Sequence, residues 1–341
     1  MATANGAMTL ADYATESNNP LVREISYSLI KAGSVFTDIP LITDPTIYKN
    51  GARVMDNLPS PYWADLNELP QPVTGKATAF SEQGWIIRNN IDIDHYFKDD
   101  KNAVGDPFDV QIEMALRGLS YDLNDKVINN NHATGNPKAM VGIRARLDNP
   151  AIYGTNPACK IDAGGLNLSN GNITSATANT AIYLIQQALD EVGSPDGTDC
   201  SIYMNDDLLR RIEQGVRTMG AGGGFDLAKD NFDRRILVYK NATVNNIGRK
   251  APLPGGTQSQ YIISSQETAD GTADTGGTFT SFYVIKHGPM DFAGWQFAPL
   301  KVKPPYLLPD GVIYRVVLDW MVGLWMPNTR AIARVFDLRV A

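Results

Sequence analysis

The chain has 341 residues, 43% of them hydrophobic and 20% charged, which suits a globular protein of one elaborate domain or two to three smaller ones. A formal net charge of −7 argues against a protein that grips nucleic acid by neutralising phosphates, though not against one that encloses mobile nucleic acid. Cys159 and Cys200 are too few for a disulfide framework, no secretory signal opens the chain, and its most apolar late run, 316–326, is short and broken by Asp319, so a soluble intracellular product is expected, with no membrane partner.

Residues 1–19 are small and polar and read as an arm that orders against a partner. Pro20 opens a predicted helix to Ala32, with Leu21, Ile25 and Leu29 on one side and Gly33 as its stop. From 39 to 94 the prolines at 40, 45, 59, 61, 70 and 72 rule out long helices. Two extended stretches remain, 46–58 and 78–94, joined by a polar tip at 67–76. Such a ribbon has few apolar residues to bury and is marginal in water by itself, so its expected support is another molecule.

Residues 106–130 form the organising element. Asp106 is a good N-cap and Pro107 sits where its missing N–H costs nothing. Ile112, Ala115, Leu116, Leu119, Leu123 and Val127 recur at steps of three and four, giving one apolar face on a rod roughly 35 Å long. That face is expected to pack on strands of the last fifty residues. Asn129, Asn130, Asn131 and Gly135 end the helix, and 136–160 reads as loop with a short apolar core at 140–143.

Residues 161–290 read as a separate α/β unit. It has helices at 176–192 and 206–218, and strands at 200–204, 236–239, 261–264 and 282–286. A glycine run at 220–224 and a Gly/Thr/Asp tract at 267–277 are expected to be mobile loops. The last fifty residues return to strands, 297–302 and 312–325, with Pro304, Pro305 and Pro309 between them.

The chemical motifs are sparse. Asp92 and Asp94 fall on one strand face and His95 on the other, so a solvated face is a better reading than a metal site. His132 and His287 are isolated, and Gly220–Gly224 lacks the Lys-Ser/Thr of a phosphate loop. No nucleophile elbow or Cys/His pairing stands out, and no cofactor is implied.

Several short motifs stand in order along the chain. They are Met8-Thr9-Leu10-Ala11-Asp12-Tyr13-Ala14 with Asn19-Pro20-Leu21, Leu58-Pro59, Trp63 and Asn67-Glu68 in the ribbon, and Asp92-Ile93-Asp94 before the long helix. After it come Gly142-Ile143-Arg144-Ala145-Arg146-Leu147, then Trp320-Met321-Val322-Gly323-Leu324, Arg330 and Ile332-Ala333-Arg334. Taken together, these blocks resemble the major capsid proteins of tailed double-stranded-DNA bacteriophages. Ala64 and Asp65 depart from the arginine that often follows the ribbon tryptophan, and Ile143 replaces a leucine.

The resemblance implies an α+β chain of the Hong Kong 97-like capsid fold. Its parts would be an N-terminal arm (1–38), an extended β-hairpin or E-loop (39–94), a peripheral domain carrying the spine helix (95–160 and 291–341) and an α/β axial domain (161–290). It implies a non-enzymatic shell subunit of the virion, forming hexamers and pentamers in the bacterial cytoplasm. The implied partners are other copies of itself, a portal protein, a separate scaffolding protein (no long helical segment precedes Met8), decoration proteins and enclosed double-stranded DNA. The implied interface residues are Leu58, Trp63, Asn67, Glu68 and Lys76 in the ribbon, Gly220, Gly222 and Gly223 at a symmetry-axis loop, and Arg330 and Arg334 near the C-terminus. Some members of this family cross-link a ribbon lysine to a neighbour's asparagine, and Lys76 and Asn328 are the only pair placed for it. Two other readings stand beside this one: an encapsulin-like compartment around a cargo enzyme, and a soluble α/β enzyme built on 161–290.

Overall fold

The computed structural model describes residues 35–54, 59–69, 72, 74–75, 77–98, 107–219, 225–229, 235–251 and 260–340. The N-terminal arm, the predicted helix at 20–32 and the glycine run at 220–224 lie outside the described residues.

In chain order the elements are α1 (Val35–Asp38), β1 (Leu41–Thr43), β2 (Tyr48–Val54), β3 (Ala77–Gln83), β4 (Trp85–Asp94), α2 (His95–Lys98) and α3 (Pro107–Asn129). They continue with α4 (Ile143–Asp148), α5 (Pro150–Tyr153), β5 (Lys160–Asn167), α6 (Ser175–Glu191), β6 (Cys200–Met204) and α7 (Asp206–Met219). Then come β7 (Phe225–Lys229), β8 (Arg235–Tyr239), β9 (Ala242–Asn246), β10 (Phe279–Lys286), β11 (Ala293–Leu307), β12 (Ile313–Trp325) and β13 (Ile332–Arg339). The strands form a four-stranded sheet in the order β1-β11-β12-β4, a seven-stranded sheet β5-β13-β10-β6-β9-β8-β7, and the two-stranded ribbon β2-β3.

Alternation builds the four-stranded sheet. Along β12, Val316, Leu318, Trp320, Val322 and Leu324 are buried on one face, while Arg315 and Asp319 point the other way. Its antiparallel neighbour β4 buries Ile91 and Ile93. The register sets Asp92 opposite Arg315 and Arg88 opposite Asp319. Arg315 therefore grips both oxygens of Asp92 at 2.7 Å, and Arg88 reaches Asp319 at 3.1 Å. Asp92 is thus held in an ion pair on the solvent face.

The spine helix α3 buries Ile112, Leu116, Leu123 and Val127 of the face that its spacing predicts, and Ile128 beside them. Its neighbouring strand differs from the expected one: α3 packs on β4, the strand just before it in sequence. It shares one core with Val316 and Leu318 of β12 beyond. The asparagine stop works through Asn130, whose buried side chain donates to the carbonyls of Met140 (2.8 Å) and Asn136 (3.0 Å) and accepts from the N–H of Asn136 (3.0 Å). This turns the chain back so that 143–148, read as loop, forms helix α4 under the spine.

In the seven-stranded sheet, α6 begins with a Thr174–Thr177 capping box and buries Ala181, Leu184, Ile185 and Leu189. Asn205 caps α7 through a 2.8 Å bond from the N–H of Leu208. The α6–α7 crossing is close because Gly215 faces Ala178.

Four further expectations are corrected. Residues 85–94 leave the ribbon and join the four-stranded sheet, so the hairpin is β2–β3 alone. The last strand, β13, lies in the seven-stranded sheet between β5 and β10, so 291–341 serves both sheets. Residues 261–264 make only an isolated bridge at Tyr261, with Ile262 and Ile263 buried. Pro304 and Pro305 lie inside β11, at a register shift between Lys303 and Tyr306. β1 pairs only with 294–296, so their missing N–H groups break no ladder on that side.

Candidate functional site: the ribbon and its root

The ribbon runs in antiparallel register from Tyr48 opposite Gln83 to Val54 opposite Ala77. Most of β3 is exposed, so no second layer covers it. Past Val54 the loop carries Trp63, Leu66 and Leu69, exposed to 91%, 95% and 87%. Three large apolar side chains are thus left in water in one loop, the most exposed of their kind among the described residues.

The loop nonetheless has a local frame. Asn67 takes a left-handed backbone (φ 69°), a conformation asparagine tolerates, and the N–H of Glu68 donates to the Asp65 carbonyl at 3.0 Å. The Glu68 carboxylate accepts from the Tyr62 hydroxyl and from the N–H of Asp65 (3.0 Å). These bonds hold its pKa below the usual carboxylate range, the Tyr62 bond most strongly. Trp63 is thus displayed on a hydrogen-bonded turn, and Asn67 and Glu68 shape that turn.

At the ribbon root, Gly51 lets the backbone cross the Trp325 ring, where any Cβ would overlap the indole. Phe80 stacks on Trp325 with centroids 4.8 Å apart, and Lys49 and Arg53 sit over these rings. Ala293, Trp295 and Trp325 form a small separate core there, with Phe80 and Ile42 against it. Glu82 of β3 is gripped bidentately by Arg146 of α4 at 2.6 and 3.0 Å, and by Arg53 at 3.3 Å. Arg53 also donates to the carbonyls of Tyr153 and of Met326 (3.2 Å). The ribbon is therefore fastened to the body by a buried ion triad and stacked rings while its tip remains bare.

A second buried network corrects two expectations. Arg334 is 0% exposed, so it offers no surface for a neighbour. It donates to Glu267 (3.1 Å), to the Gly271 carbonyl (2.9 Å) and to Asp148 (3.4 Å). Arg144 reaches the Gly271 carbonyl at 2.8 Å and pairs with Asp274. The 267–277 tract, expected to be a mobile loop, is thus held from within by two arginines. Burial pushes the Glu267 carboxyl above its usual range, although Arg334 and Arg144 pull the other way.

The ribbon brings Trp63, Asn67 and Glu68 together, whereas Arg330 stands apart on the surface, 3.4 Å from Glu191. Leu58, Lys76, Gly220, Gly222 and Gly223 lie outside the described residues. Asn328 donates to Asp291 (2.6 Å) and accepts from the N–H of Arg330 (2.9 Å), so both ends of its amide are engaged. Sequence reasoning missed Arg53, Glu82 and Arg146; the signal for Arg146 was a second arginine inside the apolar run 140–147.

No family model and no curated protein matches the chain. Among solved structures, it aligns with the SrpI encapsulin of Synechococcus elongatus at a TM-score of 0.57 and 10% identity, covering 97% of this chain and 95% of that one. A structure of Mycobacterium phage Cain aligns at 0.55 and 11%, covering 98% and 99%. This is the Hong Kong 97-like shell fold. The capsid of a native GTA particle shares it at 0.56 and 10%, covering 91% and 90%. Within that fold the loop between β2 and β3 carries the most exposed large apolar side chains among the described residues.

Proposed function

We propose that this chain is a major capsid protein, a structural subunit that closes as hexamers and pentamers into an icosahedral head around packaged double-stranded DNA. The observation that carries the reading is the ribbon on this fold: rigidly rooted, uncovered along β3, and tipped with exposed Trp63, Leu66 and Leu69. A neighbouring copy supplies the burial that the ribbon lacks alone, and repeated heterologous contacts of this kind close into rings. The likeness to a Mycobacterium phage Cain structure over 98% of the chain and the tailed-phage motifs of the sequence support the phage role. The net charge of −7 suits a wall that encloses DNA without holding it. A portal protein, a separate scaffolding protein and decoration proteins are the further partners of this role, with assembly in the bacterial cytoplasm and the virion as destination. The role is structural rather than catalytic.

The SrpI encapsulin likeness favours one second reading, a compartment enclosing a cargo enzyme. Electron microscopy of particles isolated from the natural source, with assay of their contents, tests both. Heads with nuclease-protected DNA support the capsid role, and shells filled with one protein species support the compartment. A small fixed oligomer with no shell overturns both.

A further inference from the structure

The ribbon root roofs a cavity of about 420 Å³, within the range of small-ligand sites. Arg53 and Glu82 reach it from the ribbon, Trp85 from β4, His132 from the loop after the spine, Arg146 from α4 and Tyr153 from α5. Its charges do not balance. Among the described residues that line it, Glu82 is the sole carboxylate, and it faces two arginines that are both more than nine-tenths buried. Arg146 takes both Glu82 oxygens, whereas Arg53 shares only one of them.

The consequence shows in the two guanidinium groups. Burial pushes Arg53 below its usual pKa, Glu82 only partly opposes this, and the charge of Arg146 adds to the fall. Arg146 is held above its usual value despite its burial, with Glu82 as the cause. Each guanidinium has five N–H donors. Arg53 directs one from each nitrogen to Met326, Tyr153 and Glu82, and Arg146 directs one from each to Val141 and Glu82. Further donors therefore remain on the terminal nitrogens of both residues, beside a cavity with a surplus positive charge. Phe80, Trp85 and Tyr153 form part of its wall, and two buried guanidinium groups attract an anion more strongly than exposed ones would.

We propose that this cavity binds a small oxyanion, a phosphate or a carboxylate, between Arg53 and Arg146. The oxyanion comes either from solution or from an acidic side chain of a second copy. Since Arg53 belongs to the ribbon and Arg146 to the body, an occupant braces the ribbon at its root.

Isothermal titration of the full-length dissociated chain with inorganic phosphate, at constant ionic strength against chloride, tests this. One site per chain is expected. Arg53→Met, which leaves the Arg146–Glu82 pair intact, weakens binding about tenfold or more. Glu82→Gln removes the competing carboxylate and tightens binding about tenfold, a gain that misfolding cannot produce. Repeating the titration on assembled particles separates the sources: a free ion binds in both states, whereas a neighbour's carboxylate blocks phosphate after assembly. No binding to the dissociated chain, or equal affinity in wild type and Glu82→Gln, overturns the proposal.

Discussion

His287 shows how a lone residue in this core acquires a pH dependence. It is buried, its Nε2 lies 3.3 Å from the Tyr203 hydroxyl, and that hydroxyl donates to Asp38 at 2.8 Å. Nε2–H therefore donates to the Tyr203 oxygen, which leaves Nδ1 as a bare acceptor without a partner. Burial lowers the His287 pKa to about 4 from an ordinary value of 6.5. The unfolded chain thus binds the proton first on acidification. Stability is full above pH 6.5 and falls as the pH drops toward 4, by about 3 kcal/mol. In urea melts across this range, His287→Gln should flatten the slope relative to wild type; equal slopes would remove His287 as its source. Arg334 carries a second expectation. Arg334→Met leaves the buried Glu267 carboxylate only Arg144 at 3.9 Å and the Ser281 hydroxyl at 3.0 Å, and should cost about 3 kcal/mol, while adding Glu267→Gln should recover part of it. Neither environment was legible in sequence, because an isolated histidine and an arginine in the motif Ile332-Ala333-Arg334 look the same whether buried or exposed. Only the pairing of distant residues decides it.

At the scale of elements, legibility follows the range of the forces involved. The spine helix and α6 were readable because the residues of their apolar faces recur within a few positions of each other; the Asp106 cap of the spine lies outside the described residues. The ribbon was readable as an extended, proline-punctuated stretch, but its end was not. Trp85 follows Gln83 with only Gly84 between them, and the pairing of β4 with β12, more than two hundred residues away, decides where the hairpin stops. The root and the tip make opposite predictions. Gly51→Val drives a side chain into the Trp325 and Phe80 rings and should destabilise the folded chain by about 1–3 kcal/mol in chemical denaturation. Trp63→Ser with Leu66→Ser removes only exposed apolar surface, so the subunit should keep its stability to within about 0.5 kcal/mol. Assembly should suffer, because each large side chain buried at a contact is worth about 1.5–3 kcal/mol. The critical concentration for shell formation, read by light scattering, should therefore rise about tenfold or more. An unchanged critical concentration would place the contact elsewhere.

For the whole molecule, the two sheets are tied by repeated chain crossings, from β4 to β5, from β10 to β11 and from β12 to β13, that no local pattern announced. The chain completes β12 in the four-stranded sheet and then places β13 between β5 and β10 of the seven-stranded one. The main core runs through both sheets and takes no residue from the described part of the ribbon tip, so the tip should be dispensable for folding. That independence makes a clean test of the shell reading. Deleting 67–76 leaves residues 55–66 to close the hairpin, and β2, β3 and their root on Trp325 remain. The deleted subunit should express, show one cooperative unfolding transition near that of wild type, and sediment as small species. Wild type under the same conditions should form closed particles. Loss of cooperative unfolding would mean that the ribbon belongs to the core after all. Normal-sized shells from the deleted chain would show that its subunits close without reaching across to a neighbour, and the assembly role of the ribbon would fall.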